Sequence, residues 1–317
     1  AAKHSGQPLS VLLIQYNDFP DRWRDTLNHI SYANKNGIIT TGQVGSRPIG
    51  VLMGFNTSVN PFSSHEAWKK IKHLSNKERN NIIKNDINIR NSLINDTPDN
   101  AHIKWIEQTF SLTYLLKEPL NYEPTKEMSI NSISSKLNKN PWEVILDHFI
   151  SSENDEFLMH TFENYTHNSL DVIAEMLESE YTICGVGDAG AHVATICDAS
   201  YPTFMVPFWS RDRKRGKLLN LEYLVSKQTL KTAQTYGLLD RGALIEGMRA
   251  DINIIDYDNI GLTKPCLSYD LPAGGKRLIQ KSKGYNHTFV KGIEVSHNGE
   301  FTGQLPGKLI RGHQSIN

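Results

Sequence analysis

A strand, helix, strand pattern near the start of the chain is the feature that most constrains the fold. Residues 9–15 form an almost continuous apolar run that ends in a polar residue, and residues 37–44 form a similar β-branched run. Between them, residues 22–35 place Trp23 and Leu27 on one side of a helical pattern. Two buried strands joined by a helix pair in parallel. The sequence therefore predicts an α/β architecture.

The charge balance argues against two classes of partner. The 317 residues include 34 Lys and Arg and 34 Asp and Glu, so the formal net charge is zero. Such a chain has no net electrostatic attraction to nucleic acid or to an anionic membrane. The sequence shows neither the apolar run of about 18 residues that a membrane span needs nor a basic and apolar leader. We therefore expect a cytoplasmic protein with neither nucleic-acid nor membrane partners.

One acidic residue follows a further buried strand. Residues 181–186 are apolar and β-branched, and they lead through glycines into Asp188. Enzymes with parallel sheets carry their reactive groups at the carboxyl ends of the strands. Gly185 and Gly187 have no Cβ, so they leave room beside the backbone for a ligand or a neighbouring strand. Asp188 is therefore a candidate catalytic residue, and a buried carboxylate that caps the following turn is the structural alternative.

The middle of the chain predicts an insertion. From about residue 61 to residue 150, helical patterns alternate with a stretch interrupted by prolines. Within this insertion, residues 103–106 and 111–115 predict two short strands. After it, residues 157–165 predict another buried strand of the same type as the first two.

The sequence pattern changes again after Gly237. Helical periodicity gives way to short β-type segments separated by glycine and proline, such as residues 251–256 and 285–290. Two parts are therefore expected. Residues 1–236 form an α/β unit with a helical insertion at about 61–150, and residues 237–317 form a small all-β unit.

Three stretches of the C-terminal half carry a family resemblance. They are Gly187-Asp188-Ala-Gly-Ala-His192, residues 232–256 and residues 299–312. Together they resemble the amidohydrolase superfamily, in particular the branch of N-acyl-D-amino-acid deacylases (D-aminoacylases). The resemblance implies a metal-dependent TIM-type barrel with a small β-sandwich. The expected fold is therefore α/β: the C-terminal part of such a barrel, followed by a β-sandwich segment.

The resemblance also implies metal ligands that this sequence lacks. Members of the family open the barrel with a His-x-His pair, and no His-x-His occurs here. Residues 181–188 match the eighth strand, and fewer strands precede them than a whole barrel needs. Residues 9–15 resemble a middle strand that ends in a histidine ligand in better-known deacylases, where this chain has Leu13 or a neighbour. We therefore expect the chain to be the C-terminal half of a longer protein.

Five residues are candidates for the site that the resemblance implies. Asp188 would contact the metal, accept a proton from the metal-activated water and pass it to the leaving amine. His192 would support Asp188 or a loop carbonyl by a hydrogen bond, and a structural histidine is the alternative. Arg47, Gln43 and Arg211 are the candidates for binding the substrate, the arginines through its carboxylate. For each arginine, a solvated or structural role is the alternative.

The expected function is metal-dependent hydrolysis of a linear amide C–N bond. An N-acyl amino acid is the expected substrate class and zinc the expected metal, with most of its ligands absent from this chain. One alternative is an inactive fragment or a metal-free binding protein of the same fold, and another is a cyclic amidohydrolase or a deaminase. Half a barrel would expose strand edges and apolar faces. We therefore expect a missing N-terminal half or a homo-oligomeric partner to cover them.

Overall fold

The computed structural model of the chain describes residues 2–96 and 101–315. The α-helices are α1 (Ala2–Ser5), α2 (Arg22–Lys35), α3 (Glu66–Ile71), α4 (Asn76–Asn85), α5 (Ile87–Asn95), α6 (Ala101–Gln108), α7 (Ile130–Leu137), α8 (Pro141–Phe149), α9 (Asp171–Glu178), α10 (Tyr201–Pro207), α11 (Leu221–Ser226) and α12 (Thr232–Thr235). The β-strands are β1 (Leu9–Leu12), β2 (Thr40–Val44), β3 (Ile49–Met53), β4 (Thr113–Leu116), β5 (Phe157–Glu163), β6 (Thr182–Cys184), β7 (Ile252–Ile255), β8 (Gly261–Leu262), β9 (Cys266–Leu271), β10 (Gly275–Ile279), β11 (Ser282–Lys283), β12 (Tyr285–Val290), β13 (Ile293–His297) and β14 (Glu300–Phe301).

Strands β1, β2 and β6 form a three-stranded parallel sheet in that order. Leu9 pairs with Thr40, and Gly42 pairs with Thr182. Helix α2 connects β1 to β2 and buries Trp23. This arrangement confirms the predicted parallel strand, helix, strand unit. The expectation that both strands are buried is wrong for β1, because it lies at the edge of the sheet and exposes Leu9 and Leu12. The carboxyl ends of all three strands lie at the same edge of the sheet.

Strand β5 has other partners than its sequence suggests. It pairs antiparallel with β3 and β4 in a separate three-stranded sheet, where His160 lies opposite both Val51 and Thr113. The prediction of a buried strand at residues 157–165 is confirmed, but its likeness to β1 and β2 is wrong. A mostly apolar run of this length indicates a buried strand and leaves the direction of the neighbouring strands open.

The insertion is helical over most of its length. Helices α3 to α8 lie within it, and β4 confirms the strand expected at residues 111–115. The strand expected at residues 103–106 is wrong, because this stretch lies in α6. Ile103 and Ile106 are both fully buried, and their spacing of three residues places them on one face of a helix. Residues 97–100 of the predicted insertion lie outside the described residues.

The C-terminal part consists of short antiparallel strands. The largest of its sheets has the order β14, β13, β12, β7, and β9 with β10 and β8 with β11 form two smaller pairs. Among the described residues, no sheet closes into a barrel. The result is a mixed α/β fold. None of the described helices is both long enough and apolar enough to cross a membrane.

Two apolar clusters hold these layers together. One lies against the parallel sheet and includes Leu13, Val44 and Met205. The other joins the insertion to β3 and β5 and includes Phe62 and Trp142. The C-terminal part closes over the carboxyl edge of the parallel sheet, where the backbone nitrogen of Leu278 donates to the Val193 carbonyl oxygen at 2.6 Å. Residues distant in sequence therefore meet at this edge.

Candidate active site at the carboxyl edge of the parallel sheet

The loop after β6 is held in an unusual conformation. A Cβ added at Gly185 would lie 2.9 Å from the Cβ of Gln43, which is fixed by the backbone of β2, so only glycine fits at this position. The next residue, Val186, has a φ of +63°, which is a steric outlier for a β-branched side chain. Such backbone strain costs about 1–3 kcal/mol and concentrates at functional sites. The loop turns away from the strand and delivers Asp188.

Asp188 lines a cavity of about 220 Å³ at this edge. Other parts of its wall come from Cys197, Asp198, Arg277 and Gln280. Asp188 is exposed, and among the described residues its carboxylate has no hydrogen-bond or ion-pair partner. The carboxylate is therefore open to a ligand.

A buried ion pair lies beside this cavity. Nη2 of Arg47 lies 3.2 Å from Oδ1 of Asp198, and the Arg47 side chain is only 4% exposed. Its guanidinium carbon lies 4.5 Å from the ring centre of Tyr122 and 4.6 Å from that of Tyr201. Burial raises the pKa of Asp198, Arg47 opposes this rise, and the charge of the nearby Asp188 adds to it. Arg47 is thus buried beside the cavity, and its charge is paired with Asp198.

Gln280 fastens the C-terminal part to this ion pair. Its Oε1 accepts hydrogen bonds from Ser200 Oγ at 2.7 Å and from Nη1 of Arg47 at 3.2 Å. Its Nε2 donates to the Tyr122 hydroxyl at 2.8 Å. The Gln280 amide thus bonds to Arg47 of the ion pair and to Tyr122 beside it. These bonds hold β10 and the following residue, and with them Arg277, against the cavity.

Three other residues were singled out in the sequence, and none of them lines the Asp188 cavity. They are Gln43, His192 and Arg211. Gln43 donates to Ser10 Oγ at 2.8 Å and to the Tyr236 hydroxyl at 3.3 Å. His192 is exposed with a φ of +45° and follows the Asp188 turn. The third, Arg211, borders a separate cavity of about 880 Å³.

Arg211 is anchored in that second cavity. Its Nε lies 2.6 Å from Oδ1 of Asp212, and its Nη2 donates to the Ile260 carbonyl oxygen at 3.0 Å. A further hydrogen bond joins it to the Tyr257 carbonyl oxygen. Arg211 and Asp188 are therefore not brought together by this fold.

Arg277 is a cavity residue that sequence reasoning missed. It lies in β10, where Nε and Nη2 each lie 2.8 Å from an oxygen of Asp270. Its side chain is 44% exposed, so its remaining amino group is accessible. No local pattern marks this arginine, because it reaches the cavity only when the C-terminal part folds over β6.

The residues around Asp188 do not complete a metal centre. Hydrolytic zinc sites take three protein ligands and a water molecule. Asp198 is paired with Arg47, and burial raises the pKa of the Cys197 thiol, although Arg47 opposes the rise, so the thiolate that binds metal is disfavoured. Within residues 2–96 and 101–315, Asp188 belongs to no group of three His, Cys, Asp or Glu side chains with converging ligand atoms.

Sequence comparison connects the chain to known hydrolases. Residues 130–295 match the amidohydrolase family. A stretch of 98 residues is 34% identical to an N-acyl-D-aspartate deacylase of Alcaligenes xylosoxydans xylosoxydans, covering 31% of this chain and 18% of that protein. A stretch of 105 residues is 31% identical to an N-acyl-D-glutamate deacylase of the same organism, covering 32% of this chain and 19% of that protein.

Solved structures of similar proteins are longer than this chain. A D-aminoacylase described for its binuclear metal centre is 16% identical with a TM-score of 0.46, and the match covers 96% of this chain and 49% of the other. An N-acyl-D-glutamate deacylase from Bordetella bronchiseptica, complexed with zinc and a phosphonate inhibitor, is 15% identical with a TM-score of 0.46; here the match covers 99% of this chain and 51% of the other. The chain thus spans about half the length of these structures, and the matched stretches span about a fifth of the relatives.

Proposed function

The chain belongs to the amidohydrolase family, and from this premise we propose that it takes part in the hydrolysis of a linear amide C–N bond, with an N-acyl amino acid as the substrate class. The observation that carries the proposal is the unpaired carboxylate of Asp188 in the cavity at the sheet edge. The names of the related deacylases supply the substrate class.

Asp188 is proposed as the group that moves the proton. Amide hydrolysis requires a base that takes a proton from the attacking water and returns it to the leaving nitrogen. An exposed carboxylate on a loop fixed by Gly185 and Val186 meets this need, because it has no competing partner among the described residues. Its backbone is restrained while its carboxylate remains free to bind.

Arg277 is proposed as the group that recognises the substrate carboxylate. It lies in the wall of the same cavity, and Asp270 engages only two of its three nitrogens. Arginine binds carboxylates through directed, charge-assisted hydrogen bonds. This assignment replaces Arg47, whose charge is already paired with Asp198, and Arg211, which borders the other cavity.

We further propose dependence on a divalent metal ion, with zinc as the first choice. Such an ion lowers the pKa of a bound water molecule. Asp188 is the residue of this cavity that would contact it, and the remaining ligands would come from a second polypeptide segment or a second copy of the chain. By the same reasoning, β1, β2 and β6 are proposed as part of a larger (β/α) barrel with a β-sandwich beside it, and a second polypeptide segment or a second copy of the chain as the partner that completes it.

The test is hydrolysis of N-acetyl-D-glutamate and N-acetyl-D-aspartate by the zinc-supplemented chain. Asp188→Asn should lower kcat by about 100-fold or more, whereas Arg277→Met should mainly raise KM. Asp21→Asn, at a side chain that is 80% exposed, is the matched control and should leave both constants unchanged. Equal activity of Asp188→Asn and Asp21→Asn would contradict the proposed role of Asp188.

A metal-free binding protein is the second candidate function. The incomplete ligand set around Asp188 favours it. In that case the chain would bind N-acetyl-D-glutamate in calorimetry, Arg277→Met would weaken this binding, and no turnover would be seen with or without zinc. Turnover of a cyclic amide in place of the linear substrates would instead identify a cyclic amidohydrolase.

A further inference from the structure

A group of metal-binding side chains lies on the hairpin formed by β12 and β13. Nδ1 of His287 lies 2.7 Å from Oε1 of Glu294, and Nδ1 of His297 lies 3.0 Å from the same oxygen. The two imidazole rings meet edge to face with their centres 4.7 Å apart. One ligand atom from each residue lies within 4.8 Å of the other two. Three donor atoms therefore converge on one point.

A β-bulge brings these side chains to one face. His287 pairs directly with His297, so their side chains point to the same side of the sheet. On a regular strand Glu294, three residues before His297, would point to the opposite side. The register shifts, however: Ser296 pairs with Thr288 and Glu294 with the next residue, Phe289. The extra residue on β13 returns Glu294 to the face of the histidines.

The chemistry of the three side chains matches a known class of ligand set. Two imidazoles and one carboxylate hold Zn²⁺ in many hydrolases, with a water molecule in the fourth position, and imidazole also suits Cu²⁺ and Ni²⁺. The side chains of His287, Glu294 and His297 are 35%, 34% and 55% exposed. An ion can thus enter from solvent and keep a water ligand.

We propose that His287, Glu294 and His297 form a binding site for a divalent transition-metal ion, with Zn²⁺ as the reference ion, which clamps β12 to β13. None of the three lines the Asp188 cavity, and within the part of the chain that the structure describes they are the only group of this kind. On binding, the ion takes the place of the two hydrogen bonds to Glu294. Each Nδ1 gives up the proton that it donated to Glu294 and coordinates the ion, and each neutral ring then carries its single proton on Nε2. The site is independent of the proposed hydrolysis.

The test is Zn²⁺ titration of the chelator-treated chain by isothermal titration calorimetry. Wild type should bind one Zn²⁺ at this site, and His297→Ala and Glu294→Gln should each weaken that binding by about tenfold or more, because supporting residues alone are worth about 10–100-fold. His29→Ala, at an exposed histidine of α2, is the matched control and should bind as wild type does. Asp188→Asn should also retain this site, which separates it from any metal at the sheet edge.

Two further measurements make the result decisive. Zn²⁺ should raise the Tm of wild type and of His29→Ala, but not that of His297→Ala, because only an intact site binds the folded hairpin. With Cu²⁺ in place of Zn²⁺, electron paramagnetic resonance should show two coordinating nitrogens in wild type and one in His297→Ala. Equal Zn²⁺ affinity of His297→Ala, Glu294→Gln and His29→Ala, or no binding to wild type at about 1 mM Zn²⁺, would overturn the proposal.

Discussion

The buried histidine of β5 should make the chain sensitive to mild acid. His160 is 1% exposed, its Nδ1 lies 3.1 Å from Oγ1 of Thr113, and the edge-to-face contact with Trp105 has a centroid distance of 5.1 Å. The Thr113 hydroxyl donates its only proton to the Thr109 carbonyl oxygen at 2.9 Å. Nδ1 of His160 must therefore be the donor to Thr113. One proton on the ring is enough for this contact, so the neutral form fits the site.

The sign and size of the effect follow from the pKa of His160. Burial lowers this pKa from the ordinary 6.5 to about 4, although a hydrogen bond to the Leu112 carbonyl opposes the change. Between these values the unfolded chain binds a proton that the native chain does not, so stability present at neutral pH is lost as the pH falls through 6.5 toward 4. The loss is about 2 kcal/mol by pH 5 and about 3 kcal/mol by pH 4.

The assay is urea unfolding of wild type and His160→Gln at pH 7, 6 and 5. Glutamine keeps a donor for Thr113 and does not titrate, so the free-energy difference between the two proteins should shrink by about 2 kcal/mol from pH 7 to pH 5. His29→Gln, on the exposed face of α2, is the control for general histidine effects. If the curves of wild type and His160→Gln run parallel over this range, the ring is not buried as a neutral group and the reasoning fails.

Local patterns predicted the elements better than their partners. The helix at residues 22–35 and the strands on either side of it follow from periodicity. The missing Cβ of Gly185 correctly indicates a close approach, which Gln43 of the neighbouring strand makes. The same kind of apolar run at residues 157–163 lies in an antiparallel sheet, because burial is all that its composition specifies. Sequence patterns thus fixed the type of these segments, and tertiary contacts decided the pairing.

In the candidate site too, local patterns predicted some residues, and tertiary contacts decided the rest. Asp188 could be proposed from its own neighbourhood, since a strand, three glycines and an acid lie next to one another. The burial of Arg47 could not, because its partner Asp198 is 151 residues away. The place of Arg277 in the cavity could not be predicted for the same reason, since it comes from the C-terminal part of the chain. The convergence of His287 with its two partners depends on a bulge, which no pattern in the sequence marks.

Two buried charges give the remaining predictions. Arg47→Met should lower the free energy of unfolding, measured in urea at pH 7, by about 3 kcal/mol, because it leaves Asp198 unpaired. The control Arg24→Met, at a side chain that is 46% exposed, should lower it by less than about 1 kcal/mol. Equal losses in the two variants would show that burial of the ion pair does not matter. Lys227 is 2% exposed and donates to the Thr182 carbonyl oxygen at 2.5 Å, and burial lowers its pKa to about 8. Above pH 8 the native amine loses a proton that the unfolded chain retains up to its ordinary pKa of 10.5, so wild type should gain about 2 kcal/mol relative to Lys227→Met between pH 7 and pH 9.5. A difference that stays constant over this range would mean that the native amine stays protonated and that its pKa is not lowered by burial.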